Sequence, residues 1–151
     1  MGQEIDLMIN YPRTKRDVSG RADSKTEHDR ALARQFGRDF FDGDRRNGYG
    51  GFNYNARFWQ PVVPTFQKHY GLHAGSSILD VGCAKGFMLH DFAALIPGIT
   101  VKGVDVSQYA VENAIEDMKP HVQVASAVSL RRFNEQVQHA LVPCCIALLA
   151  S

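Results

Sequence analysis

The stretch Ile78-Leu79-Asp80-Val81-Gly82-Cys83-Ala84-Lys85-Gly86-Phe87 carries the residues best suited to chemistry. It reads as a short apolar strand with an acid near its end, a glycine loop and the start of a helix. A turn that leaves a buried strand and enters a helix directly aims backbone N–H groups at whatever lies above the strand end. Gly82 and Gly86 let such a ligand approach with no side chain in the way. Asp105 ends the next apolar run, and an acid there can accept hydrogen bonds from both ribose hydroxyls of an adenosine. Together these residues point to a nucleotide-like ligand at the carboxyl ends of the strands of an open α/β sheet. The plainer reading of Asp80 is a cap on the following helix.

Three nucleotide-binding loops compete for this pattern. A Walker loop needs G-x-x-x-x-G-K-[ST], but Lys85 precedes Gly86 and no Ser or Thr follows. The dinucleotide fingerprint G-x-G-x-x-G is absent, since the spacing is Gly82-x-x-x-Gly86. An acid at a strand end followed by a glycine loop remains, and it resembles motif I of class I S-adenosylmethionine-dependent methyltransferases. The resemblance runs from about Ser76 to Leu130; a looser one, to the leader of bacterial small-molecule methyltransferases, covers Asp17 to Phe41 and Gly48 to Tyr70.

The resemblance implies a site. Gly82, Cys83, Ala84 and Gly86 would form the loop under the methionine part of S-adenosylmethionine, and Asp80 would hold its ammonium group. Asp105 would hold the ribose, Val106 would lie against the adenine, and Ser126 and Ala127 would line the adenine edge. Two positions depart from the family. Ala84 stands where a glycine is common, and Ser126 stands where an acid often contacts the adenine amino group. Cys83 reads as a small loop residue, because no His pairs with it in sequence. Lys85 reads as a solvated charge. His69, His73, His90, His121 and His139 are scattered without metal-ligand spacing, so no metal site is expected.

The elements that must position these residues follow from periodicity. Residues 1–25 are polar, with Pro12 and Gly20, and read as a mobile lead-in. Ser24 and Glu27 fit a capping box, and Leu32, Phe36 and Phe40 share one face of the helix it would open. The glycine-rich stretch from Asp42 to Asn55 reads either as a surface connection or as a lid over a substrate. Phe58, Trp59, Val62, Val63, Phe66 and Tyr70 mark a second amphipathic segment, which Gly71 stops. The alternation then predicts a strand at Ile78–Val81, a helix over Phe87–Leu95, a strand over Ile99–Val104, a helix over Gln108–Met118 capped by Ser107, and a strand over Val122–Ala125. The domain plan is therefore a lead-in (1–25), N-terminal helices with a glycine-rich loop (26–75), a cofactor-binding core (76–130) and a divergent tail (131–151). The fold class is α/β: a Rossmann-like, three-layer α/β/α methyltransferase fold with a mostly parallel sheet, truncated after its third or fourth strand.

The tail breaks the pattern. A fourth strand fits only at Leu141 to Leu149, where Pro143 interrupts the run and no acid leads in. A truncation, a frame slip or an alternative ending would explain this. A sheet that stops there exposes an edge and an apolar face, so an oligomer or a partner covering the edge is expected.

Composition narrows the class. Lys+Arg 17 against Asp+Glu 16 leaves a formal net charge of +1, which gives no electrostatic footprint for nucleic acid or a membrane surface. Cys83, Cys144 and Cys145 do not form a disulfide framework and read as reduced thiols, which points to the cytoplasm. No signal peptide is evident, and the run Ala140 to Ala150 is too short to span a bilayer. The expected function is methyl transfer from S-adenosylmethionine to a small-molecule acceptor. Tyr49, Tyr54 and Trp59 are candidates for the pocket mouth, and no catalytic base is assigned. Two other readings are a non-catalytic cofactor-binding fragment and a fragment of an NAD-dependent oxidoreductase.

Overall fold

The computed structural model describes residues 5–13, 26–44, 47–48, 53–126 and 139–141. Tyr49, Ala127 and the tail beyond Leu141 lie outside the described residues. Its centre is a sheet of four parallel strands in the order β3-β2-β1-β4, where β1 is Ser77–Val81, β2 Thr100–Asp105, β3 Val122–Val124 and β4 His139–Leu141. Chain order runs outward from β1 in one direction and then crosses to its other side. The crevice above the end of β1 is thus a switch point, where open α/β sheets bind ligands. The fold is α/β and Rossmann-like.

Successive side chains of the strands point to opposite faces, and both faces of β1 are buried. Ile78 and Val101 join a core with Val63 and Phe66 of α4 (Val63–Tyr70) and with Met88, Leu89 and Phe92 of α5 (Phe87–Leu95). Leu79, Val81 and Val104, at the alternate positions, are buried as well. The face expected to lie open is therefore closed at these positions, as in parallel sheets generally. The second helical layer of the expected three does not fall among the described residues.

Gly103 lies where β2 meets the loop and α5. A Cβ there would come within 2.7 Å of Cys83 Sγ and 2.7 Å of Leu89 Cδ1, both buried. Gly103→Ala is expected to destabilise the fold by about 1–3 kcal/mol, the usual cost of overpacking a filled core. Urea unfolding checks this, and an unchanged midpoint would show that the core yields there.

Several elements differ from the sequence reading, each for a local reason. The first helix, α1 (Glu27–Arg34), is opened by Thr26, not Ser24: Thr26 Oγ1 accepts from the Asp29 amide and Asp29 Oδ2 accepts from the Thr26 amide. The helix does not continue through Phe36. Phe36 takes a positive φ of 48°, and Gly37 opens the short α2 (Arg38–Phe41). Leu32, Phe36 and Phe40 therefore do not form one continuous face; Phe36 is 42 % exposed and Phe41 is the buried ring.

The second amphipathic segment is split into α3 (Ala56–Trp59) and α4, with Gly71 in the left-handed conformation at the end. Residues 5–13 are docked: Leu7, Met8 and Tyr11 pack on the core, and Tyr11 meets Trp59 edge-on with ring centroids 5.2 Å apart. The expected helix over Gln108–Met118 is α6 (Gln108–Glu112) followed by a 3-10 turn, Glu116–His121. Between them the Ile115 N–H leaves helical pairing and donates to the Lys85 carbonyl at 2.9 Å. β4 begins at His139, earlier than expected, and its described part stops short of Pro143, whose missing N–H no central strand can use.

Candidate functional site

The loop between β1 and α5 is held by its neighbours on every side. The Gly82 and Cys83 N–H groups both donate to the Val104 carbonyl, at 2.8 and 3.1 Å, tying the loop to the end of β2. The Gly86 N–H turns back to the Cys83 carbonyl at 2.8 Å. Gly82 has φ 86° and Gly86 φ 77°, the left-handed region that favours glycine. The two glycines differ in purpose. A Cβ on Gly82 would meet nothing within 4 Å, so that residue opens onto free space above the strand end. A Cβ on Gly86 would come within 3.0 Å of Met118 Cβ, so that residue lets the 3-10 turn close against the helix start.

Ala84 also takes a positive φ, 49°, which is unusual for a residue with a side chain. Asp105 explains how it is held. Its Oδ2 accepts the Ala84 N–H at 2.8 Å, and its Oδ1 accepts the Ser107 N–H at 2.8 Å. Asp105 thus clamps the glycine loop to the start of α6. Each carboxylate oxygen keeps a further lone pair for a ligand hydroxyl. Ser107 caps α6 as the sequence suggests, its Oγ accepting the Ala110 N–H at 3.0 Å.

Asp80 lies deeper, at 1 % exposure, and its Oδ1 has no hydrogen-bond partner. Burial first, and the Asp105 carboxylate second, push its pKa well above the ordinary value of 3.8. It does not cap α5: Gly86 occupies the N-cap position without a side-chain bond. An orphaned buried carboxyl two residues before a glycine that opens onto free space is a group that a cationic ligand could complete. Val106 and Val124, at the ends of β2 and β3, are 56 % and 51 % exposed, an apolar surface beside Asp105. Ser126 is exposed just beyond. The structure therefore brings Asp80, Gly82, Ala84, Gly86, Asp105 and Val106 to one end of the sheet.

Cys83 points the other way. Its sulfur packs toward Gly103, and burial, then Asp80 and Asp105, push the thiol pKa up. It shapes the loop and is no nucleophile.

Lys85 corrects the sequence reading most sharply. It is no solvated charge: it is 6 % exposed, and its Nζ donates to both oxygens of Asp42, at 2.6 and 2.7 Å. Tyr109 Oη donates to Asp42 Oδ2 at 2.6 Å. Burial raises the Asp42 pKa, but the Lys85 and Tyr109 hydrogen bonds and the charges of Lys85 and Arg38 outweigh it and hold the carboxyl below its ordinary range. Nothing near Lys85 in sequence announced this; a lysine in a loop between a buried strand and a buried helix is the one available hint.

Tyr54 is engaged too. Its hydroxyl donates to Asp91 at 2.6 Å and accepts from Gln60 at 3.3 Å, and its ring packs edge-on against His90 and Phe87. Burial, then the Asp91 bond, push its pKa up to about 12. His90 Nδ1 pairs with Asp117 at 2.6 Å. Trp59 packs against the core. No described helix is long and apolar enough to cross a membrane.

Comparison with known proteins adds a family. Residues 72–133 match the family described as a methyltransferase domain. No curated protein matches the chain. Among solved structures, the crystal structure of MccD protein is 26% identical over 46% of this chain and 33% of that one, with a TM-score of 0.40. A protein solved in work on the conversion of a disulfide bond into a thioacetal group during echinomycin biosynthesis is 24% identical over 54% of this chain and 34% of that one, with a TM-score of 0.45. YjhP from E. coli is 28% identical over 42% of this chain and 27% of that one, with a TM-score of 0.33. The matched part spans about a third or less of each of these proteins. The family match begins at Leu72, ahead of β1, and takes in the acid of β1, the glycine loop, α5, β2 with Asp105, and β3. The part of the chain similar to a methyltransferase domain is thus residues 72–133, which hold the candidate site.

Proposed function

We propose that the chain binds S-adenosylmethionine above the end of β1 and serves methyl transfer to a small-molecule acceptor. The observation that carries this reading is Asp80, a buried carboxyl with an unpartnered oxygen in the strand that leads into the glycine loop. In this reading Asp80 pairs with the ammonium group of the cofactor, and Asp105 accepts the ribose hydroxyls while still holding the loop. Val106 and Val124 give the adenine an apolar surface, with Ser126 and Ala127 at its edge. The cofactor supplies an electrophilic methyl group on a sulfonium. The protein's part is to align the acceptor with it and to keep water away. A base is required only where the acceptor must lose a proton.

Calorimetric titration with S-adenosylhomocysteine tests the reading. Saturable binding that NAD does not reproduce is the expected result. A folded chain that ignores S-adenosylhomocysteine would defeat it, and a preference for NAD would favour an oxidoreductase fragment. Radiolabelled methyl transfer to candidate acceptors then separates an enzyme from a domain that only binds the cofactor. We also propose a cytoplasmic location and a partner or second copy along the sheet edge.

A further inference from the structure

We propose that Asp42 and Tyr109 are positioning residues: with Lys85 they latch segment 36–42 onto the cofactor loop and hold that loop in its binding conformation. The inference rests on the proposed cofactor reading for its purpose, and on separate geometry for its existence. Three contacts tie segment 36–42 down, one to the cofactor loop and two to the start of α6. Lys85 makes a two-pronged ion pair with Asp42, 43 positions away, at 2.6 and 2.7 Å. Tyr109 Oη reaches the same carboxylate at 2.6 Å from α6. Ser107 Oγ donates to the Phe36 carbonyl at 2.5 Å. Between these polar ties, Phe41 is buried against Ala84 and Ala110, with Phe40 and Tyr109 packed alongside.

The placement matters because of what Lys85 adjoins. Ala84 before it sits at a φ that a side chain disfavours, and the Lys85 carbonyl takes the Ile115 N–H at 2.9 Å. A buried ammonium has to keep its carboxylate, since removing one member strands the other charge away from water. Lys85 therefore cannot swing out, and the backbone on both sides of it is fixed.

Hydrogen exchange on Asp42→Asn tests this in the ligand-free protein. The Ala84 amide, bonded to Asp105, should exchange about tenfold faster, the loss expected for a charge-assisted bond. The Ile96 amide, bonded to the Phe92 carbonyl at the far end of α5, should keep its rate. Asp42→Glu should restore most of the protection. Equal acceleration at both amides, or none at Ala84, would overturn the latch. If Asp42→Asn does not fold, Tyr109→Phe removes the hydroxyl that reaches Asp42, keeps the ring and should still quicken Ala84; an unchanged rate there overturns the proposal as well. S-adenosylhomocysteine affinity is read on the same samples and should fall about tenfold in Asp42→Asn; equal affinity would overturn the positioning role. If the parent chain does not bind the ligand at all, the cofactor reading fails, and the ligand-free exchange still decides the latch.

Discussion

Asp105→Ala is expected to lower stability by about 3 kcal/mol and melting temperature by roughly 10 °C, quite apart from any ligand. The side chain accepts two backbone N–H groups, from Ala84 and Ser107, and is itself buried. A hydrogen bond to a charged acceptor contributes about 1.5–3 kcal/mol, and a buried donor left without one adds a desolvation cost. For a domain of this size each kcal/mol corresponds to about 2–4 °C. Asp105→Asn should fall between the two, because its amide oxygen can serve only one of the N–H groups well. Thermal unfolding followed by circular dichroism checks the order parent, Asn, Ala. A melting point for Asp105→Ala within a degree or two of the parent would mean that the loop is held without the clamp. This bears on the cofactor test, since loss of binding in Asp105→Ala counts against the ribose contact only at temperatures where the variant is shown to be folded.

Asp80→Asn is expected to act in the opposite sense on stability and to abolish cofactor binding. The folded-state pKa of Asp80 is raised, so the folded chain holds that proton more tightly than the unfolded chain does. The resulting contribution to stability is complete below the ordinary carboxylate value of 3.8 and is lost as pH rises through the raised value. Toward neutral and alkaline pH the parent should therefore lose stability relative to Asp80→Asn, which has no proton to give up at that position. Urea midpoints for the two chains, compared at a series of pH values rising from the ordinary carboxylate value of 3.8, make the comparison. Parallel profiles would show that the carboxyl is not held protonated.

The same linkage gives binding a pH dependence. An ammonium group arriving at Asp80 takes the place of its proton. S-adenosylhomocysteine should therefore bind more tightly as pH rises toward the raised value and release a proton on binding. Titrations of the parent chain in two buffers of different ionisation heat measure that release; equal apparent enthalpies in the two would show that no proton leaves.

Local signals proved readable where one short stretch determines its own structure. The apolar run into Asp80, the glycine loop and the helix Phe87–Leu95 occupy the positions that periodicity assigns, because their residue types announce strand, turn and helix whatever their distant partners. Ser107 caps its helix for the same reason. Of the misread features, two depend on a partner far along the chain and one on a glycine within it. Gln108–Met118 has helical spacing, yet the Ile115 N–H is claimed by the Lys85 carbonyl and the helix ends early. Lys85 looks like any loop lysine until Asp42 arrives beside it. Leu32, Phe36 and Phe40 look like one face, but Gly37 breaks the helix and Phe41 takes the buried place. Within the site, the two acids and two glycines were legible as a set. That Asp105 already serves two backbone amides was not, since only the folded loop brings Ala84 to it.

Ala84 carries a consequence for sequence drift. Holding a side chain in the left-handed region costs about 1–2 kcal/mol, which glycine would relieve. Glycine would bring its own unfolded-state entropy, about 0.5–1 kcal/mol. It would also remove a methyl group packed against Phe41 and Ala110, a loss of about 0.8 kcal/mol. The gain and the losses nearly cancel. Selection on folding alone should thus be almost indifferent between alanine and glycine at this position. The balance tips with the aromatic ring above it: a chain without Phe41 would drift to glycine, and one that keeps the ring can keep the alanine.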